Sequence, residues 1–251
     1  MLQNDRYDFI LNLLKQNKSI QVKEIASLLN ISESTIRRDL INLEKEGKLN
    51  RVHGGAILGE GMTIYNQSKE IKISDRTLVN IDIKLKIAQE VSKNIQDGQC
   101  IFIDGGSSLA PLADLLAHRD INIVTNSILF LQRLENSFAN VYCLGGDYLD
   151  KYQMTMGPIA TAQLSTFNFD AAYISCAGVS FENNMGYTAE IGTNVIKQQA
   201  KRQALHSYLI IDDSKIEMIG FCTIDKLDAF DKIYCNKIDD IENAPENMVW
   251  V

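Results

Sequence analysis

The sequence predicts a small all-α head followed by a larger α/β body with a mostly parallel sheet, and three observations carry that expectation. Residues 20–55 read as helix, tight turn, second helix and short basic hairpin. From residue 100 onward, short apolar runs alternate with segments of helical periodicity. Charge divides along the same line. Residues 1–58 hold nine Lys/Arg against seven Asp/Glu, whereas the remainder holds sixteen against twenty-five, within a net −7 for 251 residues. A mildly basic head on an acidic body is the sign pattern of a nucleic-acid module joined to a different kind of domain.

Composition closes off other classes. A hydrophobic content of 45% is ample for a buried core. The longest apolar runs are too short to span a bilayer, and the N-terminus lacks the apolar stretch of a signal peptide, so no membrane partner and a cytoplasmic location are expected. The five cysteines are scattered and form no C-x-x-C pair, which reads as reduced thiols. The three histidines are too dispersed for a metal cluster, and neither metal nor cofactor is expected.

In the head, Ile10, Leu13 and Leu14 fall at helical spacing within 5–16. Val22, Ile25, Leu28 and Leu29 are the expected inward side of a second helix over 22–29. Ser32 is a good N-cap for a third helix running to about Glu46, with Gly47 as its stop. There Ile36, Leu40 and Leu43 must pack inward. Stepping 100° per residue away from that stripe points Ser34, Arg38, Ile41 and Lys45 outward, flanked by Thr35, Arg37 and Asn42. Small hydroxyls permit close approach to DNA, and arginines can donate in bidentate fashion to guanine or clamp phosphate. Lys48–Val52 looks like a strand, with Arg51 and His53 entering a Gly54-Gly55 turn. This is the outline of a winged helix-turn-helix, with the helix-turn-helix at about 20–39. Its expected DNA-facing set is Ser34, Thr35, Arg37, Arg38, Lys45, Lys48, Arg51 and His53.

Residues 58–80 show no sustained period and read as a linker, giving a head over 1–57 and a body over 81–251. A helix with Ile83, Ile87, Val91 and Ile95 on one side opens the body. Strand candidates follow at 100–103, 121–124, 141–144, 172–176, 207–211 and 232–235, with helices at 109–117, 127–135, 158–166 and 191–205. Continuous apolar strands alternating with helices imply a parallel sheet covered on both faces, whose ligands collect beyond the carboxyl ends of the strands. Those ends carry Asp104-Gly105-Gly106-Ser107-Ser108, Thr125-Asn126, Gly145-Gly146 and Asp212-Asp213-Ser214-Lys215. Hydroxyls, an amide, glycines that turn N–H groups toward an anion, and a lysine suit a small phosphorylated polyol. No dinucleotide fingerprint or Walker A loop is present.

The motifs are also specific as a set. Residues 6–57, with S-x-x-T-I-R-R-D-L and R-V-H-G-G-A intact, resemble the N-terminal domain of the DeoR family of bacterial transcription regulators. Roughly residues 76–236 resemble that family's C-terminal domain, through Asp104–Ser108, Thr125-Asn126, Leu144–Gly146, Gly178–Phe181, Glu190 and Asp212–Lys215. Leu109 stands where a third hydroxyl is common. The body is in turn similar to sugar-phosphate isomerases such as ribose-5-phosphate isomerase.

The resemblance implies an operator-binding regulator, most often a repressor, controlled by a sugar phosphate. The phosphate is expected on Gly105–Ser108 near Lys215, with Asp104, Asn126 and Glu190 on sugar hydroxyls, and Thr125, Gly145, Gly146 and Asp212 completing the set. The alternative is an isomerase carrying a DNA-binding domain. Those isomerases have an acidic D-G-A-D-E cluster, whereas the comparable Ser175–Val179 holds no carboxylate, so a binder rather than an enzyme is expected. One such head has little surface for specific binding alone, so at least a dimer on double-stranded operator DNA is expected.

Overall fold

The computed structural model describes residues 3–17, 19–45, 48–52, 54–57, 64–65, 72–134, 136–237 and 243–251. The chain divides into two compact units, residues 1–63 and 64–251.

The first unit is a three-helix head with a β-wing. It comprises α1 (Gln3–Asn17), β1 (Ser19–Gln21), α2 (Val22–Leu29), α3 (Glu33–Lys45), β2 (Asn50–Val52) and β3 (Gly55–Ile57). Ile10 and Leu14 of α1, Ile25 of α2, and Ile36, Leu40 and Leu43 of α3 form its core. Leu28 does not join them and is 57% exposed. The inward stripe of α2 is Val22, Ile25 and Leu29, and Leu28 lies about 100° off its centre. Asn30 ends α2 in the left-handed region at φ 52°, a conformation asparagine tolerates. Two residues on, the Ser32 hydroxyl accepts the Thr35 N–H at 3.3 Å and caps α3 as expected.

The hairpin recruits a third strand, giving the order β1-β3-β2. Both glycines of the turn have a reason. Gly54 has φ +83°, and a side chain on Gly55 would sit 2.0 Å from the Ile20 carbonyl oxygen of β1.

One ion pair locks the head. Asp39 is buried on α3 and accepts both Nε (2.8 Å) and a terminal nitrogen (3.1 Å) of Arg6 on α1. Removing the half-buried Arg6 leaves the buried Asp39 carboxylate without its bidentate donor. Arg6→Met is therefore expected to cost about 1–3 kcal/mol, seen as amide exchange in α1 and α3 faster by roughly one to two orders of magnitude. Unchanged protection there would show that the pair contributes nothing net.

The second unit opens inside the stretch expected to be a linker. Tyr65 bridges to Gly220, and residues 73–78 form helix α4 (Ile73–Leu78) with Ile73 buried. Then follow α5 (Ile81–Lys93), β4 (Cys100–Ile103), α6 (Leu112–Leu116), β5 (Asn122–Thr125), α7 (Ile128–Arg133) and β6 (Asn140–Cys143). A hairpin, β7 (Asp147–Leu149) and β8 (Met154–Met156), leads to α8 (Gly157–Leu164) and β9 (Phe169–Ser175). The rest is β10 (Gly178–Ser180), β11 (Met185–Thr188), α9 (Ile191–Arg202), β12 (Ala204–Ile210), β13 (Cys222–Lys226), β14 (Lys232–Cys235) and β15 (Met248–Trp250).

Seven strands form one parallel sheet, ordered β15-β14-β12-β9-β4-β5-β6. Successive side chains alternate between two cores, as a pleated strand requires. Ile101 and Ile103 pack with Ile87 and Val91 of α5, Leu112 of α6 and Phe130 of α7. Phe102 packs on the other face with Leu164 of α8 and Ile196 of α9. All six expected strands are present, and β15 adds a short edge. The antiparallel sheet β10-β11-β13 and the β7–β8 hairpin are additional. The helix expected from Leu109 begins three residues later, because residues 107–111 turn tightly first and Pro111 is its N-cap. Leu109 itself is buried in the core, which explains an apolar residue at that position. Among the described residues, no helix is long and apolar enough to cross a membrane.

Candidate functional site

On the head, Ser34, Arg37 and Arg38 are exposed on α3 and Thr35 is half-buried. The hydroxyls of Ser34 and Thr35 each lie 2.9 Å from that of Ser32, forming a polar cluster at the start of the helix. Arg37 pairs with Glu33 at 3.1 Å, one turn back, with both side chains in solvent. Arg38 makes no ion pair among the described residues. Glu44 ties the wing to α3 by accepting the Arg51 N–H at 2.9 Å and pairing with its guanidinium at 3.1 Å. A hollow between α3 and the hairpin is lined by Arg37, Ile41, Arg51 and Gly54, with Ile41 half-buried. Lys48 is exposed. The Lys45 side chain, and Gly47 and His53 entirely, lie outside the described residues.

On the body, the ends of β4, β5 and β9 build a polar cluster. Ile103 is in register with Thr125 and with Tyr173, so Asp104 and Asn126 emerge together, with Ser175 one residue further along β9. Asp104 is buried. Its Oδ2 accepts the Ser175 N–H at 3.0 Å, the Ser175 hydroxyl, and the ammonium of Lys197 from α9. Lys197 is itself buried and also reaches the Ser175 hydroxyl at 3.2 Å. Gly106 is required here, since a Cβ would lie 2.2 Å from the Ser175 side chain. Asn126 donates to the Thr155 carbonyl at 3.0 Å, and Thr125 donates to the Ile103 carbonyl at 2.6 Å. Two acceptor atoms in this cluster are fully buried yet accept nothing among the described residues: Asp104 Oδ1 and Asn126 Oδ1. An unmet buried acceptor costs about 1–3 kcal/mol, which marks both atoms as places for a donor.

Beside them Ser107 meets the ammonium of Lys84, from α5, at 3.2 Å. Lys84 is 4% exposed and also donates to the Arg76 carbonyl at 2.5 Å. Burial lowers its pKa to about 8, opposed by Asp212 and reinforced by Lys215 and Arg76. Asp212 accepts from Asn80 at 3.2 Å and from the Ser214 N–H at 3.1 Å, which leads the chain into the turn carrying Lys215.

The remaining expected residues have local structural work. Glu190 accepts the Thr193 N–H at 2.6 Å and caps α9. Gly145 donates to Gln163 at 2.7 Å, and Gly146, at φ +124°, would place a Cβ 2.4 Å from the Met156 carbonyl oxygen. Ser108 is buried below the loop.

Two family descriptions cover the chain. The DeoR-like helix-turn-helix domain matches residues 6–60, and the DeoR C-terminal sensor domain matches residues 79–237. The chain belongs to the DeoR family. The lactose phosphotransferase system repressor of Staphylococcus epidermidis is 32% identical over 235 residues, 91% of each chain. The uncharacterized HTH-type transcriptional regulator FruR of Bacillus subtilis is 31% identical over 223 residues, 88% of this chain and 86% of that one. Among solved structures, ribose 5-phosphate isomerase A of Methanocaldococcus jannaschii is similar at a TM-score of 0.41, with 17% identity over 55% of each chain.

In this DeoR-family sensor unit, Lys84, Ser175 and Lys197 join the candidate site through Ser107 and Asp104, and sequence reasoning missed them. A signal for both lysines was present. The buried side of α5 is Lys84, Ile87, Ala88 and Val91, and that of α9 is Thr193, Ile196, Lys197 and Ala200. Each lysine occupies a core position at i, i+3, i+4, i+7 spacing, where a charge survives only with a dedicated partner.

Proposed function

We propose that this DeoR-family protein represses a sugar-metabolism operon and is released from its operator by a phosphorylated sugar. The observation that carries the reading is the joining, at the carboxyl ends of β4 and β5, of two kinds of unmet demand. Asp104 Oδ1 and Asn126 Oδ1 are acceptors suited to sugar hydroxyls. Ser107, backed by Lys84 and with Lys215 nearby, is suited to a phosphate. The name of the staphylococcal relative, a repressor of a sugar phosphotransferase system, supports the same class of ligand. The helix-turn-helix supplies the output, with Ser34, Thr35, Arg37 and Arg38 on DNA and Lys48 and Arg51 on the wing. Repression then ends because the effector binds the operator-free state more tightly than the bound one. The protein acts in the cytoplasm as at least a dimer, since a single head buries too little DNA surface.

A thermal-shift screen with pentose and hexose phosphates tests this directly. A true effector at 100 times its dissociation constant stabilises by about 2.7 kcal/mol, which raises the melting temperature of a unit this size by roughly 5–10 °C. Ser107→Ala and Lys215→Ala are expected to need at least about tenfold more ligand for the same shift. If both variants respond as the parent does, the site is misassigned. If no sugar phosphate shifts the parent, the body is an assembly module rather than a sensor.

A further inference from the structure

Lys84 stands where the proposed effector phosphate and the start of the sensor unit meet. Its ammonium is bonded to two uncharged oxygens, the Arg76 carbonyl and the Ser107 hydroxyl. The nearest carboxylate acting on it, Asp212, is already bonded to Asn80 and Ser214. Lys84 thus brings a charged donor to Ser107 of the Gly105–Ser108 loop, with Lys215 acting on it from the turn after Asp212.

The Arg76 carbonyl belongs to α4, the first helix of the unit among the described residues. α4 has six residues, and helices that short have no independent stability. The carbonyls of its last turn lack partners within the helix. Lys84 supplies one of them with a charged donor, a favourable placement of a cation at a helix C-terminus. From the same helix the Arg76 guanidinium lies 5.3 Å from the centre of the Tyr152 ring. Tyr152 stands three residues before Thr155, whose carbonyl holds Asn126.

We infer that Lys84 is a further effector-binding residue, and that an effector phosphate on Ser107 draws its ammonium from the Arg76 carbonyl and so loosens α4. A doubly charged phosphate oxygen is a stronger acceptor than a neutral carbonyl, and the exchange costs α4 the cap on its last turn. Occupancy of the site thereby becomes a change in α4. The inference rests on the proposed function, since it requires an anion at Ser107.

The test uses the full-length protein and inorganic phosphate as probe, at constant ionic strength, read by hydrogen exchange and thermal shift. In the parent, phosphate is expected to slow exchange over residues 105–109 and to speed it several-fold over 73–78. Lys84→Met should show fast exchange over 73–78 without phosphate, no further change on adding it, and phosphate affinity lower by about tenfold or more. Ser107→Ala, which keeps the Lys84–Arg76 bond, should start slow over 73–78 and respond weakly. It serves as the readout should Lys84→Met fold poorly. Because the Lys84 amine loses its proton near pH 8 in the free protein, the parent's phosphate affinity should fall above that pH by up to about tenfold per unit. Lys84→Arg, which stays charged, should not fall. Protection of 105–109 with unchanged exchange over 73–78 would overturn the coupling while leaving the anion site intact. Absence of any phosphate effect in the parent would overturn the site reading as well.

Discussion

Replacing Arg37 and Arg38 together by alanine is expected to abolish operator binding while leaving the protein folded and its effector response intact. Both side chains are exposed on α3, and the core residues of that helix, Ile36, Leu40 and Leu43, are untouched by the change. The Arg37–Glu33 pair is solvent-exposed on both sides, so its loss costs a few tenths of a kcal/mol at most. A bidentate arginine contact to a base contributes about 1–3 kcal/mol, and the double change removes the two proposed for each half-site. An affinity loss of at least roughly thirtyfold per head follows, larger in a dimer that loses both half-sites. The measurement is fluorescence anisotropy on a duplex selected by the parent protein from a random pool, with melting temperature as control. Parent-like affinity in the double variant would mean that α3 is not the reading helix. A single Arg51→Ala change is milder on this view, because its guanidinium already shares Glu44.

What was legible in the sequence follows from which forces act locally. β4 appears over the four residues read from the apolar run, since a strand buried on both faces announces itself without reference to its neighbours. α3 was legible because its stripe, its N-cap and its polar face agree. Leu28 was misplaced because a two-turn helix offers too few residues to fix the direction of its stripe. The β7–β8 hairpin left no clear signal: its strands have three residues each, and their role is tertiary, with Met154 closing on Gly105 and the Thr155 carbonyl holding Asn126. Asp104, Ser107 and Asn126 were visible because strand ends expose their residues in sequence order. Lys84 and Lys197 were not, because they reach the same place from helices 20 residues before and 93 residues after Asp104 in the chain. Only their positions on otherwise apolar stripes mark them.

Lys197→Met carries the largest stability effect expected in the sensor unit. Lys197 and Asp104 are a buried pair, with side-chain exposures of 4% and 0%. Removing the ammonium leaves a buried carboxylate held by Ser175 alone, a loss of about 3–5 kcal/mol. For a unit of this size the melting temperature should fall by roughly 6–20 °C, measured by scanning calorimetry. Asp104→Asn combined with Lys197→Met removes both charges and should recover much of the loss, since an amide can still accept from Ser175. The double variant then separates two roles of Asp104. In the parent all three protein donors converge on Oδ2, which leaves Oδ1 without a partner among the described residues. Restored folding with a sugar-phosphate response weakened by about tenfold or more would place the charge of Asp104 in sensing as well as in stability. A melting temperature for Lys197→Met close to that of the parent would show instead that the cluster admits enough water to solvate the carboxylate, and that its order arises from the loop glycines and Ser175 without the ion pair.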